Sequence, residues 1–212
     1  MVAEANKLRD QSAGVVGVIA NTTGRAREIF QRLAGDKVLL TGRIRPVDRD
    51  SILSEFLPRM ISGSRAGRQP LFVVATQTIE VGADLDFDAL VTQNAPVDAL
   101  RQRFGRLDRL GELGDCQAVI VHEELGTADE CRVYGKSLLN RTWTWLKKAQ
   151  TGKGRDKRVD FDITAMAATL AQTPPPLPEA KVTRPFTAAR PWGVRRSCSG
   201  TGVSMCSSRA GT

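Results

Sequence analysis

The hydrophobic positions of this chain fall into short apolar runs separated by segments of helical period. Val15 to Ala20, Lys37 to Thr41, Leu71 to Ala75, Ala89 to Thr92 and Gln117 to Val121 read as strands, and the nearly continuous runs are of the type covered on both faces in a parallel sheet. Between them, Ala26, Ile29, Phe30 and Leu33 keep helical spacing behind a cap at Thr22 or Thr23, and Ile52, Leu53, Phe56 and Leu57 do the same within Asp48 to Met60. Strand and helix alternate throughout, which predicts an α/β fold in three layers, a parallel sheet with helices on both faces. Further on, Val133, Leu138, Leu139, Trp143 and Leu146 predict an amphipathic helix from about residue 128 to 149, and a last short helix is expected over Asp160 to Leu170. Residues 1–13 read as a flexible start or the end of an upstream element. ISGSRAGRQP reads as a loop, and TPPPLP ends ordered structure.

One segment carries more than packing. After Pro96, suited to a first helical position, and Asp98 in the first turn, Leu100, Phe104 and Leu107 follow helical spacing. Gln102, Arg106 and Arg109 repeat that spacing roughly 200° away, so a helix running to Arg109 would present them on the face opposite the apolar one. Arg103 is expected at the surface of the same helix. Arginine keeps its charge at any working pH and offers a planar donor fork matched to phosphate oxygens, and glutamine beside it can orient a water. The bland alternative is a solvated basic face.

Other polar residues cluster where strands end, the side on which parallel sheets gather ligands. Thr22 and Thr23 follow the first strand, Arg43, Arg45 and Arg49 the second, and Thr76 the third. Hydroxyls and backbone NH groups at a helix start can hold a nucleic-acid phosphate, and arginines there give sequence-independent grip. A plain helix cap at Thr22 and ion pairing of the arginines with Asp48 and Asp50 are the competing readings.

Composition narrows the function classes. The 212 residues suffice for one well-buried domain plus extensions and are too few for a two-domain motor. No apolar run approaches membrane-spanning length and no basic-then-apolar start is present, so a cytoplasmic location without membrane contact is expected. Residues 181–212 contain six basic and no acidic side chains, which leaves only +2 of the +8 net charge for the rest. Any nucleic-acid surface on the core must come from local placement of arginines. This acid-free end, rich in serine, arginine, cysteine and glycine, is unlike the core, as translation in a shifted frame would give, and is expected to be disordered and dispensable.

Several motifs fail on inspection. Asp84, Asp86 and Asp88 alternate, but a calcium loop needs glycine and glutamate where Ala89 and Ala95 stand. TGKGRDKR lacks both the first glycine and the hydroxyl of a phosphate loop. Four scattered cysteines and the single His122 offer no metal-ligand spacing, so no metal site is expected.

Gln-x-x-Gly-Arg-x-x-Arg, here Gln102, Gly105, Arg106 and Arg109, resembles the sixth motif of superfamily 2 helicases. Thr76, Gly82 and Asp84 resemble the fifth, in the right order and distance, and ANTTGRA resembles the fourth. The wording ATQTIEVGADLDFD with APVDALRQRFGRLDR, and R-x-R-P-x-D-R from Arg43, is most similar to the CRISPR-associated helicase-nuclease of type I systems. The resemblance implies a RecA-like helicase C-terminal domain over residues 14–122, followed by a helical extension over 123–173 and a Pro-rich, then basic tail over 174–212. It implies ATP and Mg2+ as cofactors, shared with an N-terminal RecA-like domain that carries the phosphate loop and Asp-Glu motif absent here. Single-stranded DNA is the implied partner, together with a CRISPR surveillance complex. Arg106 and Arg109 would stabilise charge on the transferring phosphate, and Gln102 would order the attacking water. Gly82 and Asp84 would approach the nucleotide, and Thr22, Thr23, Arg43, Arg45 and Thr76 would hold the DNA backbone. The rivals are another superfamily 2 RNA helicase or DNA translocase, and a nucleic-acid-binding module without ATPase activity.

Overall fold

The structure, a computed structural model, describes residues 1–12, 14–42, 45–61, 69–79, 85–114, 116–123, 133–152, 158–161 and 175–176. Five strands, β1 (Val15–Ile19), β2 (Lys37–Leu40), β3 (Leu71–Ala75), β4 (Ala89–Gln93) and β5 (Gln117–Val121), form one parallel sheet in the order β2-β3-β1-β4-β5. β1 sits at its centre, with Val16 in register with Phe72 of β3 and with Ala89 of β4. Every residue of β1, β3 and β4 is buried, as continuous apolar runs require.

The strand order dictates which face each helix covers. The helix α2 (Thr23–Arg32) joins β1 to β2 in one direction across the sheet, while α3 (Pro46–Met60) and α4 (Val97–Phe104) join strands in the other direction. Right-handed crossovers then place α2 on one face and α3 and α4 on the other. The core divides accordingly. Val16, Val18, Phe72, Val74 and Val91 pack with Ala26, Ile29 and Leu33 of α2, and the alternate residues Val15, Ile19, Val73 and Ala75 pack with Met60, Ile52 and Phe56 of α3. The three-layer α/β architecture expected from the alternation is therefore present.

Glycine is required at two places in this core. A Cβ on Gly17 would stand 2.7 Å from the Phe87 ring, so the central strand lacks a side chain where Phe87 fills the layer. A Cβ on Gly14 would lie 2.0 Å from Asp88 Oδ2, which accepts a 2.6 Å hydrogen bond from Val15 N.

Residues 1–13, expected as a flexible start or the end of an upstream helical element, include α1 (Val2–Ser12), which lies against β1 and β4 with Ala5 and Leu8 in the core. The helix expected from about 128 to 149 is described as α5 (Lys136–Ala149), whose buried positions are Leu138, Leu139, Thr142, Trp145 and Leu146. Trp145 and Leu146 pack on Val97, Ala99 and Leu100, so α5 braces α4. Most of the loop near residue 65, residues 128–132 and 162–170 of the expected helices, and the tail from 177 lie outside the described residues.

Candidate functional site

The helix carrying the arginine segment is shorter than its spacing suggested, and this changes the site. α4 ends at Phe104 with Gly105 as its C-cap. Its last bonds tighten to three-residue turns, from Arg106 N to Arg103 O and from Leu107 N to Phe104 O. The chain cannot continue as a helix because Phe87, just ahead of β4, claims its backbone: Phe87 N donates to Arg106 O at 2.7 Å and Asp108 N donates to Phe87 O at 2.9 Å. Leu107 thereby reaches the core on the α3 side. Asp108 adopts a left-handed conformation, φ 43°, and its carboxyl oxygens accept from the NH groups of Glu112, Leu113 and Gly114. Gln102, Arg106 and Arg109 are thus not one helical stripe. Gln102 is exposed on the last turn of α4, Arg106 is half-buried in a turn, and Arg109 is exposed beyond it, its NH donating to Asp86 Oδ1 at 2.9 Å.

Arg103 is the larger departure. Expected at the surface, it is fully buried. Its guanidinium donates to Thr92 Oγ1 at 2.8 Å, Gln93 O at 3.1 Å, Asn21 Oδ1 at 3.1 Å and Tyr134 OH at 3.2 Å. Such a group is tolerated inside only when its donors are met. It is the hub of a polar network at the carboxyl ends of β1, β4 and β5. Asn21 N donates to Gln93 Oε1 at 2.7 Å, Gln77 Nε2 to Asn21 O at 2.8 Å, and Gln93 Nε2 to Glu123 Oε2 at 2.9 Å. Glu123 also pairs with Arg25 at the start of α2. Burial opposes the charge of Arg25, yet its bonds to Glu123 and Glu28 hold its pKa above the usual value; the bond from Arg25 and its charge in turn hold Glu28 below the usual carboxyl value. Beside this network a hollow with room for roughly one water is lined by Asn94, His122 and Leu139. The buried Asn94 Oδ1 there has no hydrogen-bond partner among the described residues.

The strand-end residues divide. Thr22 caps α2, its Oγ1 accepting from Arg25 N at 3.2 Å, and Thr23 opens the helix, half-buried. Thr76 is buried at the end of β3, with its hydroxyl 3.5 Å from that of Thr78. Arg45 stands 82% exposed but is held by Asp48 through bonds of 2.6 and 2.9 Å, so the ion-pairing reading applies to it. Asp86 and Asp88 are buried and hydrogen-bonded to backbone. Arg43, Gly82 and Asp84 lie outside the described residues, as does the side chain of Arg49. The structure does not bring all these residues together. Asn21, Thr22 and Thr76 lie at the carboxyl ends of the strands, while Arg106 and Arg109 lie toward the amino end of β4, beside Asp86 and Phe87.

A parallel α/β domain carrying this arginine motif resembles the second RecA-like domain of superfamily 2 helicases, and the comparisons place it more closely. Residues 12–112 match the family described as CRISPR-associated nuclease/helicase Cas3, C-terminal. The CRISPR-associated helicase Cas3 of Thermoproteus tenax is 35% identical over 137 residues, covering 64% of this chain and 22% of the relative. The CRISPR-associated nuclease/helicase Cas3 of Streptococcus thermophilus is 33% identical over 149 residues, covering 64% and 16%. Among solved structures, T. fusca Cas3-ADP superposes with a TM-score of 0.63 at 25% identity, covering 79% of this chain and 21% of that one. The chain thus spans about a fifth of the length of these relatives.

None of the described helices is long and apolar enough to cross a membrane, and the described residues contain no group of three His, Cys, Asp or Glu side chains able to hold a metal ion.

Proposed function

We propose that this chain is the C-terminal motor domain of a Cas3-type, ATP-dependent DNA helicase that works in the cytoplasm beside a CRISPR surveillance complex, in antiviral defence. Arg106 and Arg109 meet the phosphates of ATP at the junction with an N-terminal RecA-like half. The observation that carries this reading is the arginine segment. The guanidinium groups of Arg106 and Arg109 stand on backbone stapled to Phe87 and Asp86, with the exposed carboxamide of Gln102 on the preceding helical turn, in a domain similar to the Cas3-like C-terminal family. Guanidinium groups suit a polyphosphate and offer no lone pair to Mg2+, and we assign the ion to the carboxylates of the other half. Gly82 and Asp84 contribute on the nucleotide side. When bound, ATP and its metal supply the transferable phosphoryl group. This chain's residues orient it, with Arg106 and Arg109 placed against developing negative charge and Gln102 beside the water.

Single-stranded DNA lies elsewhere on the domain, along the carboxyl ends of the strands, against Thr22, Thr23, Thr76 and the arginines at 43 and 45. Arg45 keeps Asp48 as its partner in the free chain and exchanges that pair for a phosphate. Nucleotide and nucleic acid then meet different sides, and α4 connects them.

The test is steady-state ATP hydrolysis with saturating single-stranded DNA, by the motor assembled from this chain and its N-terminal half. Arg109→Lys should cost on the order of 10³-fold in turnover, nearly as much as Arg109→Ala, because lysine lacks the rigid fork, while KM for ATP changes much less. Arg101, exposed on α4, is the control and should cost little. Retention of most turnover by Arg109→Lys would leave the arginines as a solvated face and favour a nucleic-acid-binding module. Equal stimulation by RNA would favour another superfamily 2 motor.

A further inference from the structure

Asp86 and Asp88 flank Phe87, are both buried, and alternate along the segment entering β4, yet they reach different things. Asp88 Oδ2 accepts from Val15 N at 2.6 Å and so fixes the start of the central strand. Asp86 Oδ1 accepts from Arg109 N at 2.9 Å, 23 residues along the chain, while its own NH donates to Met60 O at 2.7 Å. Between them, Phe87 exchanges two backbone bonds with the peptides of Arg106 and Asp108. We propose that Asp86 is a positioning residue for the arginine segment, its buried carboxyl group setting the main chain at Arg109 and through it the place of the Arg109 guanidinium. The inference rests on the motor reading above and adds to it the group that aims the arginine.

The physical case is one of leverage. Arg109 is exposed and lies beyond the last helical hydrogen bond, in a turn after the left-handed Asp108. A long side chain on such a turn is only as well placed as its backbone, and a misplacement of about 1 Å at the reacting group can cost 10²-fold in rate. The Phe87 pairing stops at Asp108 N, and Asp86 adds one more bond exactly one residue further, at Arg109 itself. Asp86 is wholly buried and anchored at Met60, at the end of α3, so it ties the arginine to the core.

Two measurements test this. In the chain itself, NMR hydrogen exchange of the Arg109 amide should accelerate at least about tenfold in Asp86→Ala relative to amides of β4. In Asp86→Asn, whose oxygen can still accept, it should stay within about threefold. In the assembled motor, Asp86→Ala should lower kcat on the order of tenfold to 10²-fold with KM for ATP little changed, and Asn should restore most of it. In an Arg109→Ala background, Asp86→Ala should add less than about twofold, because a residue acting through Arg109 has nothing left to place. Additive losses in that double variant, or an Arg109 amide indifferent to Asp86→Ala, would overturn the proposal and leave Asp86 a packing residue. A fully active Arg109→Ala motor would overturn the motor reading and this inference together, whereas an inactive one with a harmless Asp86→Ala would overturn this inference alone.

Discussion

Replacement of Arg103 should damage the fold itself, which separates it from Arg101, the other arginine on α4. The side chain is fully buried and its donors meet a threonine hydroxyl, a main-chain carbonyl, an asparagine oxygen and a tyrosine hydroxyl, drawn from β4, the end of β1 and the segment before α5. Alanine would orphan Asn21 Oδ1 and the Gln93 carbonyl's outer lone pair and would open a cavity. Thr92 would lose least, since its hydroxyl also donates to Gln93 O at 3.0 Å. Buried hydrogen bonds to a charged group are worth about 1.5–3 kcal/mol each, but their losses do not sum, because some partners relax toward water. Removal of one member of a buried charged network typically costs about 3–5 kcal/mol, and that is the value expected here. It is a large share of the roughly 5–15 kcal/mol that holds a domain together. At about 2–4 °C per kcal/mol for a domain of this size, the melting temperature should fall by about 10 °C. Lysine should rescue little, because one ammonium cannot span four acceptors set for a planar fork. Urea unfolding of Arg103→Ala, Arg103→Lys and Arg101→Ala provides the assay. A loss below about 1 kcal/mol for Arg103→Ala, or equal losses for Arg101→Ala, would refute the network as a stabilising element.

Other perturbations follow from the same geometry. Gly14→Ala drives a methyl group into Asp88 Oδ2 and must break its bond to Val15 N, so urea unfolding should show a loss of about 1–3 kcal/mol, partly recovered when Asp88 is shortened as well. Asp108→Val puts a β-branched residue at φ 43° and removes the acceptor for three loop amides, so it should cost about 1–3 kcal/mol by thermal unfolding, whereas Asp108→Asn should be tolerated. Glu28 has its folded-state pKa lowered by Arg25, so its contribution is present above its ordinary value of 4.5 and is lost as the pH falls through the lowered one. Glu28→Gln should therefore differ from the parent chain above about pH 4.5 and converge with it in acid, and the opposite trend in a pH series of unfolding curves would contradict the pairing. The purified chain alone should show no nucleic-acid-stimulated ATP hydrolysis, since a helicase motor needs its other half to hold the β and γ phosphates.

The strands were legible because burial on both faces leaves a local mark: an apolar run of about five residues needs no partner to be recognised. β3 and β5 begin and end where the sequence predicts them, and Thr22 caps α2 as its position suggests. α1 was not legible, because few of its positions, Ala5 and Leu8 among them, reach the core, too narrow a stripe to separate a packed helix from a polar start. Trp145 is buried more deeply than the Trp143 expected from the pattern, since α5 faces α4 as well as the sheet edge.

The arginine segment was legible as a family motif and misread as geometry. Spacing of four and then three survives in a turn as readily as in a helix, so period alone cannot mark where α4 stops. Gly105, at the usual position of a helix end, was the local signal that could have done so. Nothing local could have found the cause, which is Phe87 pairing with Leu107 from 20 residues away. Arg103 follows the same logic. An arginine between Gln102 and Phe104 is exposed in most helices, and its burial here depends on Asn21 and Tyr134, far off in the chain. The same segment therefore holds one exposed arginine, one half-buried and one fully buried, and contacts distant in sequence decide the burial of Arg103. Arg103 ties α4 to the loop after β1, and Asp86 ties the turn beyond α4 to the segment before β4. Both ties act at the C-terminal end of α4, so under the proposed function the last turn of this short helix is the element that would join DNA at the carboxyl ends of the strands to a phosphate near Arg109.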